Sequence, residues 1–231
     1  MIPVEDALSR IFALCSALDV ETVPLAKAHG RVLAQPVRAR RDQPPFVGSA
    51  MDGYAVKGPV SVGQTFHVIG EAGAGNAFSG HVTPGEALRI FTGAPMPEGA
   101  DHVVIQEDVA RDGDTITLQP GLGQGANVRP AGGDFRAGDT VSAPRRLRSV
   151  DLGLLAAMNI AEVPVYRRPK VALIATGDEL VMPGEDPKPD QIVASSVFAL
   201  KAMIEAEGAE ASILPIARDS VEQLTAVLKL A

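Results

Sequence analysis

The stretch Pro44-Pro45-Phe46-Val47-Gly48-Ser49-Ala50-Met51-Asp52-Gly53-Tyr54-Ala55-Val56 decides how the chain is read. Its two prolines fix φ and remove two backbone donors, so the entry runs extended. Gly48, Ser49 and Ala50 are small enough to let a ligand or a partner come close to the main chain. Asp52-Gly53 reads as a tight turn into the alternating run Tyr54-Ala55-Val56. The residues place a carboxylate at the tip of a stiff, narrow loop, although the commoner meaning of an Asp-Gly pair is a turn and nothing more.

Around this stretch, from about Arg41 to Ala143, glycine is frequent and helical periodicity is absent. Short apolar runs alternate with turn residues at Phe66–Ile69, Ala87–Thr92, Val103–Gln106 and Thr115–Leu118, the pattern of a β-rich domain. Two loops in it carry possible chemistry. Leu88–Thr92 reads as a strand emptying into Gly93-Ala94-Pro95-Met96-Pro97-Glu98-Gly99-Ala100-Asp101, where a threonine hydroxyl and neighbouring amides can bind an oxyanion. Asn127–Asp139 interleaves Arg129 and Arg136 with Asp134 and Asp139 on a glycine-rich backbone. Such a loop can clamp an anion with Arg129 while Asp134 holds a metal or a polar group; surface ion pairs on a β-turn fit the pattern equally. His29, His67, His81 and His102 show no metal-ligand spacing, so a zinc site is set aside.

On the N-terminal side, Val4, Ala7, Leu8, Ile11, Phe12, Cys15 and Leu18 recur at helical spacing, which predicts an amphipathic helix over 3–18 with Cys15 packed on its apolar stripe. Past the β-rich region, Ser149 or Asp151 can cap a helix to about Asn159. A strand-like return at Ala161–Tyr166 is expected to pack beside the first helix. At Arg167 the pattern turns α/β. Val171–Ala175 is a continuous apolar run, as in a strand buried on both faces of a parallel sheet, and it empties into Thr176-Gly177-Asp178-Glu179-Leu180. A helix from about Ser196 to Glu207 stops at Gly208, a second strand covers Ala211–Ile216, and Ser220-Val221-Glu222-Gln223 fits a capping box. The loop after the first strand lacks both Gly-x-Gly-x-x-Gly and a Walker lysine; its hydroxyl and carboxylates suit a Mg²⁺-bridged phosphate.

The 231 residues are ample for a core, and no apolar run approaches the length of about eighteen that a membrane helix needs. Cys15 is the single cysteine, which rules out an internal disulfide and fits a reducing cytosol. The acidic N-terminus does not read as a secretory signal. A net charge of −7 argues against nucleic acid as a partner. It also requires that any anion site gather cations locally, from Arg38, Arg40 and Arg41, from Arg129 and Arg136, from Arg145, Arg146 and Arg148, or from Arg167, Arg168 and Lys170.

Ser49-Ala50-Met51-Asp52-Gly53-Tyr54-Ala55 resembles the signature of the MoeA and gephyrin E-domain family, the molybdopterin molybdenumtransferases. Further similar blocks follow in order: Thr92–Asp101 with Gln106-Glu107, then Asn127–Asp139, then Lys170–Leu180 with Asp190-Gln191-Ile192. The resemblance covers essentially the whole chain. The chain departs from the family pattern at Val47-Gly48, where an acidic and then a polar residue are usual. It departs again at Gly133, in place of a glutamate, and at Ala194-Ser195-Ser196, where an asparagine is common.

The resemblance implies a multidomain α+β fold. Residues 1–40 with 136–166 would form an elongated linker and dimerisation domain, 41–135 an inserted β-rich domain, and 167–231 the first half of a doubly wound α/β, MogA-like domain that binds molybdopterin. Family members continue with more strands, a Ser-Gly-Gly loop and a small β-domain, so the chain is expected to be a C-terminally truncated form. The implied activity is insertion of molybdate into adenylylated molybdopterin with release of AMP, dependent on Mg²⁺ and cytoplasmic. Asp52, Thr92, Asp134 and Glu179 would be catalytic. Ser49, Arg129, Arg136, Thr176, Gly177 and Asp178 would bind the substrates, and Asp178 and Glu179 the Mg²⁺. The implied partners are a second copy of the chain and the adenylyltransferase that supplies the substrate. Gephyrin-like relatives also act as scaffolds, so a non-catalytic dimerisation module is the alternative. An adenylyltransferase or a CinA-like hydrolase shares the Gly-Asp-Glu-Leu loop but leaves 44–139 unexplained.

Overall fold

The structure, a computed structural model, describes residues 2–231. The chain falls into two compact units. One comprises the chain up to Pro36, Ser142–Leu152 and Ala161–Ala231; the other comprises Val37–Val141 and Gly153–Ile160. The sheets and helices are those of a multidomain α+β protein.

The second unit is built on a six-stranded sheet in the order His102–Ile105, Gly53–Val56, Glu86–Ile90, Thr65–Ala72, Thr115–Leu118, Val109–Asp112. All neighbours are antiparallel except Thr65–Ala72 with Glu86–Ile90. The two-residue period of a strand sends Tyr54 and Val56 into one apolar cluster, with Phe66, Val104 and Ile116, and Ala55 into another, with Leu88, Ile90 and Val103. Every residue of Gly53–Val56 is buried. A strand covered on both faces is expensive to disturb; truncating a side chain such as Leu88, which is fully buried, costs about 2–5 kcal/mol.

Gly53 departs from its expected role. It already lies within the strand, and its φ is not positive. A Cβ there would strike the carbonyl oxygen of Val104 and stand 2.9 Å from that carbonyl's carbon. Glycine is therefore required by the close approach of the neighbouring strand and not by a turn.

The first unit contains a four-stranded sheet in the order Val20–Pro24, Glu162–Tyr166, Val32–Leu33, Arg145–Arg146. The return strand pairs antiparallel with Val20–Pro24, not with the N-terminal helix as expected. Its alternation buries Val163 and Val165. At the end of this strand Arg31 is buried, its guanidinium held by Glu21 and by the Tyr166 carbonyl oxygen at 2.8 Å.

Helix α1 spans Val4–Ala13, shorter than the periodicity predicts, and buries none of its residues. Val4, Leu8, Ile11 and Phe12 are exposed, and so is Cys15, contrary to the packed position expected for it. Spacing dictates the apolar stripe, but burial needs an element to lie against it, and among the described residues none does. Helix α2, Ser149–Ala157, is capped by Asp151, whose buried carboxylate accepts the Arg148 backbone N–H at 2.9 Å.

In the α/β segment, Lys170–Leu173 pairs in parallel with Glu210–Ile213, an isolated two-stranded sheet. The strand is shorter than the apolar run and alternates between exposed and half-buried, not buried on both faces. Helix α3 spans Ser196–Ala206 and ends before Gly208, whose φ is +94°. Helix α4, Val221–Leu228, begins at Ser220, whose hydroxyl accepts the Gln223 N–H at 3.2 Å. Leu180–Val181 and Ile192–Val193 add a parallel pair that the pattern did not reveal.

Candidate functional site

Three separated sequence blocks converge in the β-rich unit. Val47–Ser49 is the centre strip. On one side Gly93 N–H donates to Ser49 O, Ser49 N–H to Ala94 O and Met96 N–H to Val47 O, each at 2.9 Å. On the other side Val128 and Arg129 pair with Ser49 and Gly48. The strip closes one wall of a cleft of about 310 Å³, whose lining includes Pro44, Phe46, Ser49, Thr92, Gly93 and Arg129.

Asp52 is fixed at this site by Thr92. One carboxylate oxygen, Oδ1, accepts both the backbone N–H and the hydroxyl of Thr92, each at 2.7 Å. The Thr92 amide and then its hydroxyl hold the Asp52 carboxyl below the usual carboxylate range, with the nearby Arg89 charge acting in the same direction. Asp52 is thus an anion at neutral pH, clasped to a second candidate residue, where the sequence showed no partner for it.

Ser49 is buried and its hydroxyl is already used, donating to Met51 O at 2.6 Å, so it shapes the loop from within. Arg129 is exposed and pairs with Asp134 at 2.7 Å, which neutralises both. The Arg136 chain lies over Gly132, where a Cβ would stand 2.8 Å from Arg136 Cγ. Its backbone N–H donates to Asp139 at 2.8 Å. Ser49, Asp52, Thr92, Arg129 and Asp134 are therefore gathered around one cleft or one contact away from it.

Thr176, Gly177, Asp178 and Glu179 belong to the other unit. There the loop leaves Lys170–Leu173 with Gly177 at φ +143°. A Cβ on Gly177 would stand 2.8 Å from Glu179 Cδ, because the Glu179 side chain folds back over it. Arg218 donates to the carbonyl oxygens of Gly177, Asp178 and Leu180 at 3.3, 3.0 and 2.9 Å. Asp178 Oδ1 accepts the Asp219 N–H at 3.1 Å. An open cleft of about 350 Å³ lies between Thr176 and the start of α4. Among the described residues no group of three or more His, Cys, Asp or Glu gathers as a metal centre. Mg²⁺ is commonly held by one or two carboxylates and the substrate's phosphates, and Asp178 with Glu179 fit that donor set.

The sequence passed over Arg89 and Arg218. Arg89 stands opposite Tyr54 across the sheet, a pairing set by strand register that no local motif announces. Arg218 acts through three carbonyls some forty residues earlier in the chain, equally invisible to local spacing.

The model of the MoeA N-terminal region, domains I and II, matches residues 2–159. The chain belongs to the MoeA family. A molybdopterin molybdenumtransferase from Nostoc sp. is 38% identical, over 94% of this chain and 52% of the relative. Molybdopterin molybdenumtransferase 2 of Mycobacterium tuberculosis is 37% identical, over 90% of this chain and 53% of its own length. This MoeA-family chain also superposes on the crystal structure of the molybdopterin biosynthesis MoeA protein from Pyrococcus horikoshii, with a TM-score of 0.86 and 35% identity. That match covers 100% of this chain and 61% of that one. The chain spans about half the length of the curated relatives it matches.

Proposed function

We propose that the chain serves molybdenum cofactor biosynthesis, contributing to the insertion of molybdate into adenylylated molybdopterin with release of AMP. The observation that carries this reading is the Asp52–Thr92 clasp beside the cleft, which joins two residues that the family resemblance marks as catalytic. The names of the relatives support the same activity.

Molybdate, the pterin phosphate and AMP are all anions, so cations must offset their repulsion in a chain of net charge −7. Bound Mg²⁺ would supply part of that offset at Asp178 and Glu179. Thr176 would meet the phosphate through its exposed hydroxyl, while Gly177, buried and with its N–H donating to Ala217 O at 3.1 Å, would shape the loop beneath it. In the β-rich unit Asp52 and Thr92 would orient the reacting groups. Arg129, with Asp134 as its counter-ion, would exchange that partner for a substrate anion. Arg136 would add a second cation on the same loop. The three-part division into 1–40 with 136–166, 41–135 and 167–231, a cytoplasmic location, a homodimer and supply by the adenylyltransferase belong to this proposal.

In a chain extended to the relatives' full length, Asp52→Ala is expected to abolish AMP release coupled to molybdate while leaving the far-ultraviolet circular dichroism unchanged. Turnover near that of the parent chain would refute the assignment. A second reading, a non-catalytic dimerisation or scaffold module, draws on the exposed apolar face of α1 formed by Val4, Leu8, Ile11 and Phe12. Titration with adenylylated molybdopterin separates the two, since scaffolding predicts an intact dimer with no measurable affinity.

A further inference from the structure

Arg89 lies between two aromatic rings, its guanidinium carbon 5.1 Å from the centroid of Tyr54 and 4.7 Å from that of Phe91. The planar group is fixed at both ends. Nη1 donates to Gly53 O at 3.2 Å and Nη2 to Gln106 Oε1 at 2.6 Å. Gly53 follows Asp52 directly, and the Gln106 N–H donates to the Asp52 carbonyl oxygen at 3.0 Å. The guanidinium therefore holds the residue that follows Asp52 and the side chain of Gln106, whose own N–H holds the Asp52 carbonyl. Thr92 grips the Asp52 side chain.

Arg89 differs from Arg129 in having no carboxylate within ion-pair distance among the described residues, whereas Arg129 spends its charge on Asp134. Both Thr92 donors fall on Oδ1 of Asp52, and among the described residues no donor meets Oδ2. An ionised oxygen left open in this way accepts an N–H or O–H group and repels the oxygens of an oxyanion.

We propose that Arg89 is a positioning residue of this site, holding Asp52 so that Oδ2 stays free for a hydrogen-bond donor of the pterin substrate and not for molybdate itself. The proposal rests on Asp52 being catalytic. Lysine cannot replace arginine in this role, because a point charge on a hydrated stem lacks the fork that bridges Gly53 O and Gln106 Oε1 beside the Tyr54 and Phe91 rings.

Two variants test it on the chain as it stands, Arg89→Lys, which keeps the charge, and Arg89→Met, which keeps only the length. Both are expected to speed hydrogen exchange of the Thr92 amide by about tenfold or more while the amides of Ala55, within the sheet, and of Val103, bonded to Ala126 O, keep their protection. Unchanged Thr92 exchange in both variants overturns the proposal. So does acceleration shared equally by Ala55 and Val103, which would make Arg89 merely structural. If Arg89→Met fails to fold, Arg89→Lys alone decides. In a chain extended to the relatives' full length, Arg89→Lys is expected to lower kcat by about tenfold or more with KM for molybdate within about twofold. A raised KM for molybdate at unchanged kcat would instead make Arg89 an oxyanion ligand and overturn the proposal. Asp52→Asn with full turnover would remove the catalytic reading, and the Thr92 exchange result would still judge the grip of Arg89 by itself.

Discussion

Two loops carry the candidate chemistry, and they are held in opposite ways. The Ser49–Gly53 loop hangs from a six-stranded sheet whose strands Gly53–Val56 and Glu86–Ile90 are buried on both faces, and its carboxylate is bound by a side chain from another strand end. The Thr176–Leu180 loop hangs from a two-stranded sheet that is half exposed, and Arg218 holds its backbone while leaving the Glu179 carboxylate without a donor among the described residues. A carboxylate fixed by protein donors is preorganised for one geometry. One whose loop is fixed but whose head is free suits a cation that arrives with the substrate. Under the proposed function, this contrast fits orientation to the first loop and charge offset to the second.

The largest expected effect concerns the clasp. If Asp52 and Thr92 act as one unit, Asp52→Ala, Thr92→Val and the double variant should each lower turnover of a full-length chain by a similar factor, about 10³-fold, with the double variant no worse than either single one. Additive losses would break the clasp into two independent contributions.

The next effect separates the sheets. Amides of Ala172 and Leu173 should exchange about 100-fold faster or more than those of Leu88 and Ile90, because a two-stranded sheet exposes its edges and buries little. Equal protection by hydrogen exchange would mean that partner strands complete the parallel sheet.

Two glycines sharpen the same contrast. Gly53→Ala pushes a Cβ against the Val104 backbone, which cannot move without breaking the sheet, so the urea midpoint should fall by the equivalent of about 2 kcal/mol. Gly177→Ala meets positive φ and the end of the flexible Glu179 side chain, and should cost about 1 kcal/mol. The reverse order would mean that the parallel-sheet loop is the more rigid of the two.

These differences mark what the residues could reveal by themselves. The alternation in Tyr54–Val56, the stop at Gly208 and the Ser220 hydroxyl cap, without the reciprocal Gln223 half of a capping box among the described residues, are local, and local physics placed them. Asp52, Thr92 and Arg129 were legible as candidates, through motifs whose meaning came from resemblance. Their convergence was not legible, since it depends on Val47–Ser49 pairing with two segments some forty-five and eighty residues away. Cys15 and Val171–Ala175 failed for one reason: periodicity and apolarity state which face prefers burial, while burial itself needs a neighbour. Gly53 shows the converse, a glycine read as a turn whose true constraint is a carbonyl on the next strand.

The smallest effect is a difference in acid response. Asp52 is held below its ordinary range first by the Thr92 amide, and Asp151 first by the Arg148 amide. A carboxyl whose folded pKa is depressed contributes stability above its unfolded pKa and loses it as pH falls through the folded one. Both carboxyls should therefore leave stability unchanged from neutral pH down to about pH 5 and weaken the fold below about pH 4. The responses should appear in different places. Asp52→Asn keeps an acceptor oxygen but removes the charge, so it should flatten the acid-induced rise in Thr92 amide exchange and leave the exchange of the α2 amides that follow Arg148 untouched. Asp151→Asn should do the reverse. Because backbone hydrogen bonds lead in both, raising the salt concentration to about 1 M should alter neither slope greatly, whereas a long-range charge effect would be screened away. A slope at Thr92 that disappears in high salt would transfer the main role from the Thr92 amide to the charge of Arg89, and the first loop would then be held by electrostatics and not by its clasp.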